Sequence, residues 1–331
     1  MIKKKVSGYL YKFAKKIVNK LYSAGVFEVL TKKQQPKKND HILKGEQIHI
    51  DPSAVLITNE NSRIIFKGKN GIGRYTEIQT AKNGCIKIGY GTSIQDRNTI
   101  LGDVEFGRYC LTAPNVYISS GRHYFNHSPN FFIKDQDEMV RSSEHLSKQH
   151  SKKVTIEDDV WIGTNAVIMS GITIGRGSII GSNSVVTQHV LPFSIMGGTP
   201  AKLLKKRLDF VPKQILNFNN DDDLPNFYMG FFVDVKNLTE DRKQGGVSAS
   251  ANFRTYMTNH GSRIQISIKT VGAVTQTLVY NNQEVLISEP NYQSISFDLE
   301  NINYHEFKLK SVDVIDENEK FFLIEEVKIL H

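Results

Sequence analysis

One stretch constrains the fold more than any other: Val154 to Lys206, VTIEDDVWIGTNAVIMSGITIGRGSIIGSNSVVTQHVLPFSIMGGTPAKLLKK. Ile156, Ile162, Ile168, Ile174, Ile180 and Val186 recur every six residues, and each is followed four places on by Val160, Ala166, Ile172, Ser178, Ser184 or Val190. Six is neither the 3.6 of an amphipathic helix nor the alternation of a half-buried strand, so each unit reads as one flat face of a repeating coil. The large apolar side chains stack inward, while Gly163, Gly175, Gly181 and the small residues make corners where space is short and φ is unusual. Three units give an 18-residue turn, whose strands pair in parallel with the turns above and below, about 4.8 Å apart. The expectation is a parallel β-helix.

The same step governs Ile88, Ile94, Ile100, Phe106, Thr112 and Ile118, and a ragged form of it runs from Ile48 to Ile78. Between Ile118 and Ile156 the period breaks for 38 residues, in a segment carrying His123, His127, His145 and His150. A coil accommodates such an insertion only by looping it out, and long loops on rigid scaffolds concentrate function. The loop, 119–153, is the first place to look for chemistry. After Lys206, RLDFVPKQILNF reads as a short helix and a connection, and NNDDDLP at 219–225 as a boundary. Beyond Tyr228 alternating segments such as RIQISIKT, QSISFDL and FFLIEEVKIL predict an antiparallel β-sandwich, jelly-roll-like in outline. Three parts follow: 1–40, a basic helix and linker; 41–224, the β-helix with its loop and a short C-terminal helix; 225–331, the sandwich.

The net positive charge belongs to one end. Residues 1–40 hold eleven lysines against Glu28 and Asp40, while the whole chain is only +8. Over residues 2–24, Val6, Leu10, Phe13, Ile17 and Leu21 share a helical face opposite most of the lysines. Two readings stay open: a helix that caps the end of the coil, and one that lies on an anionic membrane. No recognition motif points to nucleic acid. No apolar run of 18 residues is present, so no membrane-spanning helix is expected. No secretory signal is expected, and two cysteines, Cys85 and Cys110, make no disulfide framework. A cytoplasmic protein, in contact with the inner face of the membrane if the second reading holds, fits best.

The string VWIG, the run of apolar-Gly-x-x-small-x units and the closing GGTPAK resemble the hexapeptide-repeat acyltransferases, among them the maltose, galactoside, streptogramin and surface-polysaccharide O-acetyltransferases. The resemblance implies a left-handed coil, a homotrimer, and acetyl-CoA held in the groove between neighbouring subunits. It implies that His123 is the general base: relatives keep an apolar-Gly unit sixteen residues before that histidine, and Gly107 stands there. Imidazole suits the task because it accepts a proton near neutral pH. Asp135, Asp137, Glu138 and backbone carbonyls are candidates for orienting it, and His127 is the alternative base. Carried over residue by residue, Thr164 supplies an N–H to the thioester oxygen, Ser182 and Thr187 line the pantetheine arm, and Lys202 and Lys205 meet the nucleotide phosphates. Gln188 departs from the lysine common in relatives. Trp161 and Cys110 read as packing residues.

For the acceptor, Gln95, Asp96 and Asn98 lie one turn before the His123 region and offer hydrogen bonds to sugar hydroxyls. The function implied is acetyl-CoA-dependent O-acetylation of a sugar in a bacterial surface polysaccharide or its precursor, by direct attack on the thioester and without a metal. The alternatives are N-acetylation of a nucleotide-linked amino sugar and a non-catalytic glycan-binding assembly module. A zinc site of the kind built by carbonic anhydrases of this fold lacks its third histidine within the regular coil.

Overall fold

The computed structural model describes residues 41–126, 128, 130–142, 152–271, 275–288, 291–310 and 319–331. The basic segment 2–24, the linker 31–40 and His127, His145 and His150 lie outside them.

Residues 42–206 form a parallel β-helix of three sheets. Two sheets have six strands and one has eight. The first runs through Ile42–Lys44, Arg63–Phe66, Cys85–Ile88, Val104–Phe106, Val154–Ile156 and Thr173–Ile174. The second includes Ser93–Ile94, Leu111–Thr112, Trp161–Ile162, Ile179–Ile180 and Ser194–Gly197, and the third includes Thr99–Gly102, Tyr117–Ser119, Val167–Ile168 and Val185–Val186. The six-residue apolar positions stack in strict register. Phe66, Ile88, Phe106, Ile156 and Ile174 make one inward column, Ile72, Ile94, Thr112, Ile162 and Ile180 a second, and Ile78, Ile100, Ile118, Ile168 and Val186 a third. All fifteen are at most 1% exposed. The raggedness of the early repeat has a simple origin. Ile42 pairs with Ile64 and Ile64 with Ile86, a 22-residue turn each time, and the 18-residue turn starts with Ile86 and Val104.

The corners divide labour differently from the expectation. A Cβ at Gly163 would lie 2.7 Å from the Ser182 nitrogen, and one at Gly175 2.5 Å from the Pro192 nitrogen, so these glycines serve close coil-to-coil approach. The left-handed backbone falls two residues later, on Asn165, Gly177 and Asn183, where asparagine tolerates it best among side-chain-bearing residues.

The short helix expected after Lys206 is absent. Lys202–Lys206 is instead a strand folded back antiparallel on Ser194–Gly197, and Ile215–Asn217 is a strand paired with 326–328. The last coil leaves an edge with unpaired backbone groups, and the chain satisfies them with its own hairpin. The acidic run read as a boundary is folded as a turn. Asp223, 4% exposed, accepts from Lys213 Nζ at 2.6 Å and from the Asn217 N–H at 2.9 Å inside a 3₁₀ turn, Asp221–Asn226.

The C-terminal unit is a single nine-stranded antiparallel sheet that curls until its end strands meet, the Asp298 N–H donating to Gln283 Oε1 at 3.0 Å. Its core is aromatic, with Phe253 and Phe307 stacked at 5.1 Å beside Phe231, Phe297, Phe322 and Tyr280. This unit docks on the corner between the first and second sheets of the coil. Arg176, 8% exposed, donates to the Phe227 carbonyl at 2.7 Å and to that of Tyr228, whose hydroxyl meets Glu157. Beside it Arg108 grips Asp158 through two bonds of 2.8 and 3.0 Å. Burial works to raise the Asp158 carboxyl, but the Arg108 charge and its hydrogen bonds hold it below the usual carboxylate range.

Two outcomes follow from this packing. Ile156→Ala removes one rung of a fully buried column and lowers unfolding free energy by about 2–5 kcal/mol, read as a lower denaturant midpoint. His305, 0% exposed and 2.8 Å from the Tyr280 hydroxyl, is pushed by burial down to about 4 from an ordinary 6.5. Its neutral form belongs to the fold and its charged form to the unfolded chain, so its contribution is complete above pH 6.5 and is lost as pH falls through 4. Unfolding titrations between these pH values should slope less steeply in His305→Gln than in the native chain.

Candidate active site

The interrupting loop leaves and rejoins the coil at one point, the corner between the third and first sheets. The Lys152 N–H donates to the Ser120 carbonyl at 3.2 Å, the Ser170 hydroxyl of the next coil donates to the same carbonyl, and the Gly171 N–H donates to the Lys152 carbonyl at 3.0 Å. Within the loop lies a helix that the repeat pattern gave no reason to expect, Ile133–Arg141. Gln136, Asp137 and Val140 form its buried face. Gln136 fixes the approach to this helix, donating to the Phe131 carbonyl at 3.1 Å and accepting from the Ser128 N–H at 3.0 Å.

Asp137 then holds His123. One carboxylate oxygen accepts from the Tyr124 N–H at 2.8 Å, and the other lies 2.5 Å from His123 Nδ1. A carboxylate at Nδ1 keeps the proton there and leaves the lone pair on Nε2. Among the described residues Nε2 makes no hydrogen bond, and the side chain is 76% exposed. Of the acidic residues near this position in sequence, Asp137 is therefore the one that orients the ring. The same loop exposes Phe125, Phe131 and Phe132.

Thr164 and Ser182 occupy a different corner, between the second and third sheets. They sit on adjacent coils: the Thr164 carbonyl accepts from the Asn183 N–H at 2.8 Å, and Gly163 packs under Ser182. The Thr164 N–H makes no hydrogen bond among the described residues. Thr187 and Lys202 line one cleft of about 370 Å³ at the last coil, together with Gln188, His189 and Leu203. Lys205 stands on the terminal hairpin opposite Ile195, and both lysines are exposed. Trp161 is 52% exposed on the outer face of the second sheet, in register with Leu111 and Ile179.

The acceptor residues separate. Gln95 is exposed. Asp96 is held by a two-pronged bond from Arg74 at 2.7 and 2.9 Å, and the hydrogen bonds from Arg74 lower its carboxyl. Both line a polar cleft of about 350 Å³ with His49 and Asp51. Asn98 does not belong with them. At 1% exposure its amide donates to the Gln95 carbonyl at 2.7 Å and accepts from the Val116 N–H at 2.8 Å, so it ties coils together and is closed to an acceptor. Cys110 is likewise buried, and burial pushes its thiol up to about 12, which disfavours the thiolate a nucleophile needs. Among the described residues no three His, Cys, Asp or Glu side chains converge as metal ligands, and no helix is long and apolar enough to cross a membrane.

The bacterial transferase hexapeptide (six repeats) family matches residues 153–188. A chloramphenicol acetyltransferase of Klebsiella aerogenes is 40% identical over 162 residues, 43% of this chain and 74% of that protein. A galactoside O-acetyltransferase of Escherichia coli K12 is 34% identical over 110 residues, 33% of this chain and 47% of that one. Among solved structures, a hexapeptide-repeat acetyltransferase of Vibrio cholerae complexed with acetyl coenzyme A shares 27% identity across 45% of this chain and 73% of its own, with a TM-score of 0.34. Repeat, coil and a relative spanned over most of its length agree, and the chain belongs to the hexapeptide-repeat acetyltransferases.

Proposed function

We propose that the chain transfers the acetyl group of acetyl-CoA to a sugar hydroxyl of a bacterial surface polysaccharide or its precursor. The observation that carries the reading is the His123–Asp137 pair, an imidazole held through Nδ1 by a carboxylate with Nε2 making no hydrogen bond among the described residues, on an exposed loop. In the reaction Nε2 takes the hydroxyl proton as the oxygen attacks the thioester carbonyl. The carbon–sulfur bond then breaks, and the departing thiolate takes the proton back from the imidazolium. Asp137 stabilises the imidazolium in between without accepting the proton itself.

Thr164 has an N–H that makes no hydrogen bond among the described residues, as a developing oxyanion needs. Lys202 and Lys205 offer the charge for phosphates, and Ser182 and Thr187 flank the arm. On one chain His123 and the Thr164–Ser182 pair stand at opposite edges of the third sheet, so a donor groove containing all of them runs between neighbouring copies. A cyclic trimer closes three such grooves. The relatives include enzymes named for galactoside and for chloramphenicol. The exposed Phe125, Phe131 and Phe132 favour, as a second reading, an acceptor with an aromatic ring. The lysine-rich segment 2–24 supports work in the cytoplasm at the inner face of the membrane.

Thiol release from acetyl-CoA, measured with polysaccharides, simple glycosides, nucleotide-linked amino sugars and chloramphenicol as acceptors, tests this directly. Turnover should be greatest on a polysaccharide. His123→Ala should lower kcat by about 10²-fold or more, and Asp137→Asn by roughly tenfold or more through loss of the Nδ1 partner. Undiminished turnover in His123→Ala would remove it as the base, and thiol release only with chloramphenicol would sink the sugar reading.

A further inference from the structure

A cleft of about 300 Å³ lies where the C-terminal sheet meets the last coils. It shares only the segment 189–191 with the cleft of Thr187 and Lys202. Its volume is at the lower end of the ~300–1,000 Å³ that encloses small ligands, and it suits one pyranose ring. One side is the first sheet, with Thr173 and with Val190, which extends that sheet beside Ile174. The exposed Leu191 and Pro192 add apolar surface. The other side comes from the C-terminal sheet. Along strand Val247–Tyr256, Phe253 and Thr255 are buried in the sheet's own core, while Arg254 stands on the opposite face and lines the cleft with Tyr304 of the neighbouring strand.

The polar groups of this cleft are mixed in kind and only partly used. One oxygen of Glu157 accepts from the Tyr228 hydroxyl and from the Arg176 N–H at 2.9 Å, while the other makes no hydrogen bond among the described residues. His189 accepts from the Thr173 N–H at 3.0 Å through Nδ1, so the neutral ring carries its proton on Nε2 as a donor. The Thr173 hydroxyl makes no hydrogen bond among the described residues. Arg254 has one long contact, 3.4 Å to Glu306, and five donors to offer. A single guanidinium and a single carboxylate favour neither sign of ligand. Donors and acceptors set around apolar surface instead match the hydroxyl rim and C–H face of a neutral sugar. Tyr304, 36% exposed, is braced by Tyr228 at 5.0 Å and Tyr256 at 4.7 Å, and makes a rigid wall for that face. The cleft also adjoins the reacting loop. Lys152, at the loop's root, bonds to Gly171 of the next coil, and His189 follows at the same corner one coil further. With coils spaced like neighbouring strands, that is about 10 Å from the root.

We infer that this cleft binds one neutral sugar ring of the acceptor chain, against Tyr304 and with hydrogen bonds from Arg254, so that the C-terminal sheet takes part in choosing the acceptor. The inference rests on the sugar O-acetyltransferase reading for its role in turnover, but the binding itself is measurable without turnover. The probes are methyl glucoside, methyl galactoside, methyl mannoside and methyl glucuronoside, each titrated into the full chain and followed by saturation-transfer NMR. At least one neutral glycoside should bind, and the glucuronoside should bind no more tightly than the best of them. Tyr304→Ala, which removes the wall, and Arg254→Met, which keeps the stem and removes the donors, should each weaken that binding by about tenfold, the scale of one hydrogen bond to a charged group. Arg254→Met should leave the melting temperature unchanged, which separates lost binding from lost folding. His123→Ala should bind the glycoside as the native chain does. On a polysaccharide that supports turnover, KM should rise in both cleft variants while kcat holds. No binding of any neutral glycoside, a preference for the glucuronoside, or native affinity in both variants would overturn the inference. Acetyl transfer to a polysaccharide with native KM in both variants would overturn it while leaving the reaction standing. Arg254-dependent glycoside binding by a chain that transfers no acetyl group would leave the cleft standing and remove the reaction.

Discussion

Everything here hangs on side chains stacking in register on identical neighbours one turn away. A coil face of two or three residues forms too few hydrogen bonds to persist alone, and an isoleucine on it has nothing to bury against within its own turn. Only repetition closes the columns that run from Phe66 to Ile174, Ile72 to Ile180 and Ile78 to Val186. The same demand fixes the outer surface: once inward positions are set every sixth residue, outward ones are set too. The polar ladder Lys87–Glu105 and the apolar strip Leu111–Trp161–Ile179 are faces of one solution.

The C-terminal sheet is bound to this scaffold by polar groups with little slack. Arg176 is charged, almost wholly buried, and satisfied by main-chain carbonyls of the segment it meets. Breaking such a contact leaves a charge without solvent or partner, so the docked arrangement is sharply preferred over nearby ones. The docking corner lies between the first and second sheets. Trp161 on the second sheet and Tyr117 on the third both remain exposed.

What the sequence disclosed was whatever depends on period. The β-helix and the place of the insertion follow from counting, because a coil obliges residues six apart to be equivalent, while the candidacy of His123 among the loop histidines came from the family resemblance. What it concealed depends on contacts made outside the period. Asp135, Asp137 and Glu138 are indistinguishable by composition, and only the pitch of the Ile133–Arg141 helix turns Asp137 to the imidazole. Asn98 looked like a solvent-facing amide because its neighbours Gln95 and Asp96 are polar, yet corner geometry points it inward to bridge coils. The segment after Lys206 read as a short helix, but the edge of the last coil takes Lys202–Lys206 as a strand and the chain then runs on to the strand Ile215–Asn217.

The closure of the loop at Ser120, Lys152 and Ser170 has a bearing on how such proteins diversify. Because both ends are held at one corner, the scaffold registers only that the segment returns, and the entropy of a longer excursion grows slowly, by about 0.6 kcal/mol for each doubling of length. Insertions, deletions and exchanges between Gly121 and Ser151 are thus nearly invisible to the coil. Selection on such a chain can rewrite the surface presented to an acceptor while the part that must fold is inherited intact.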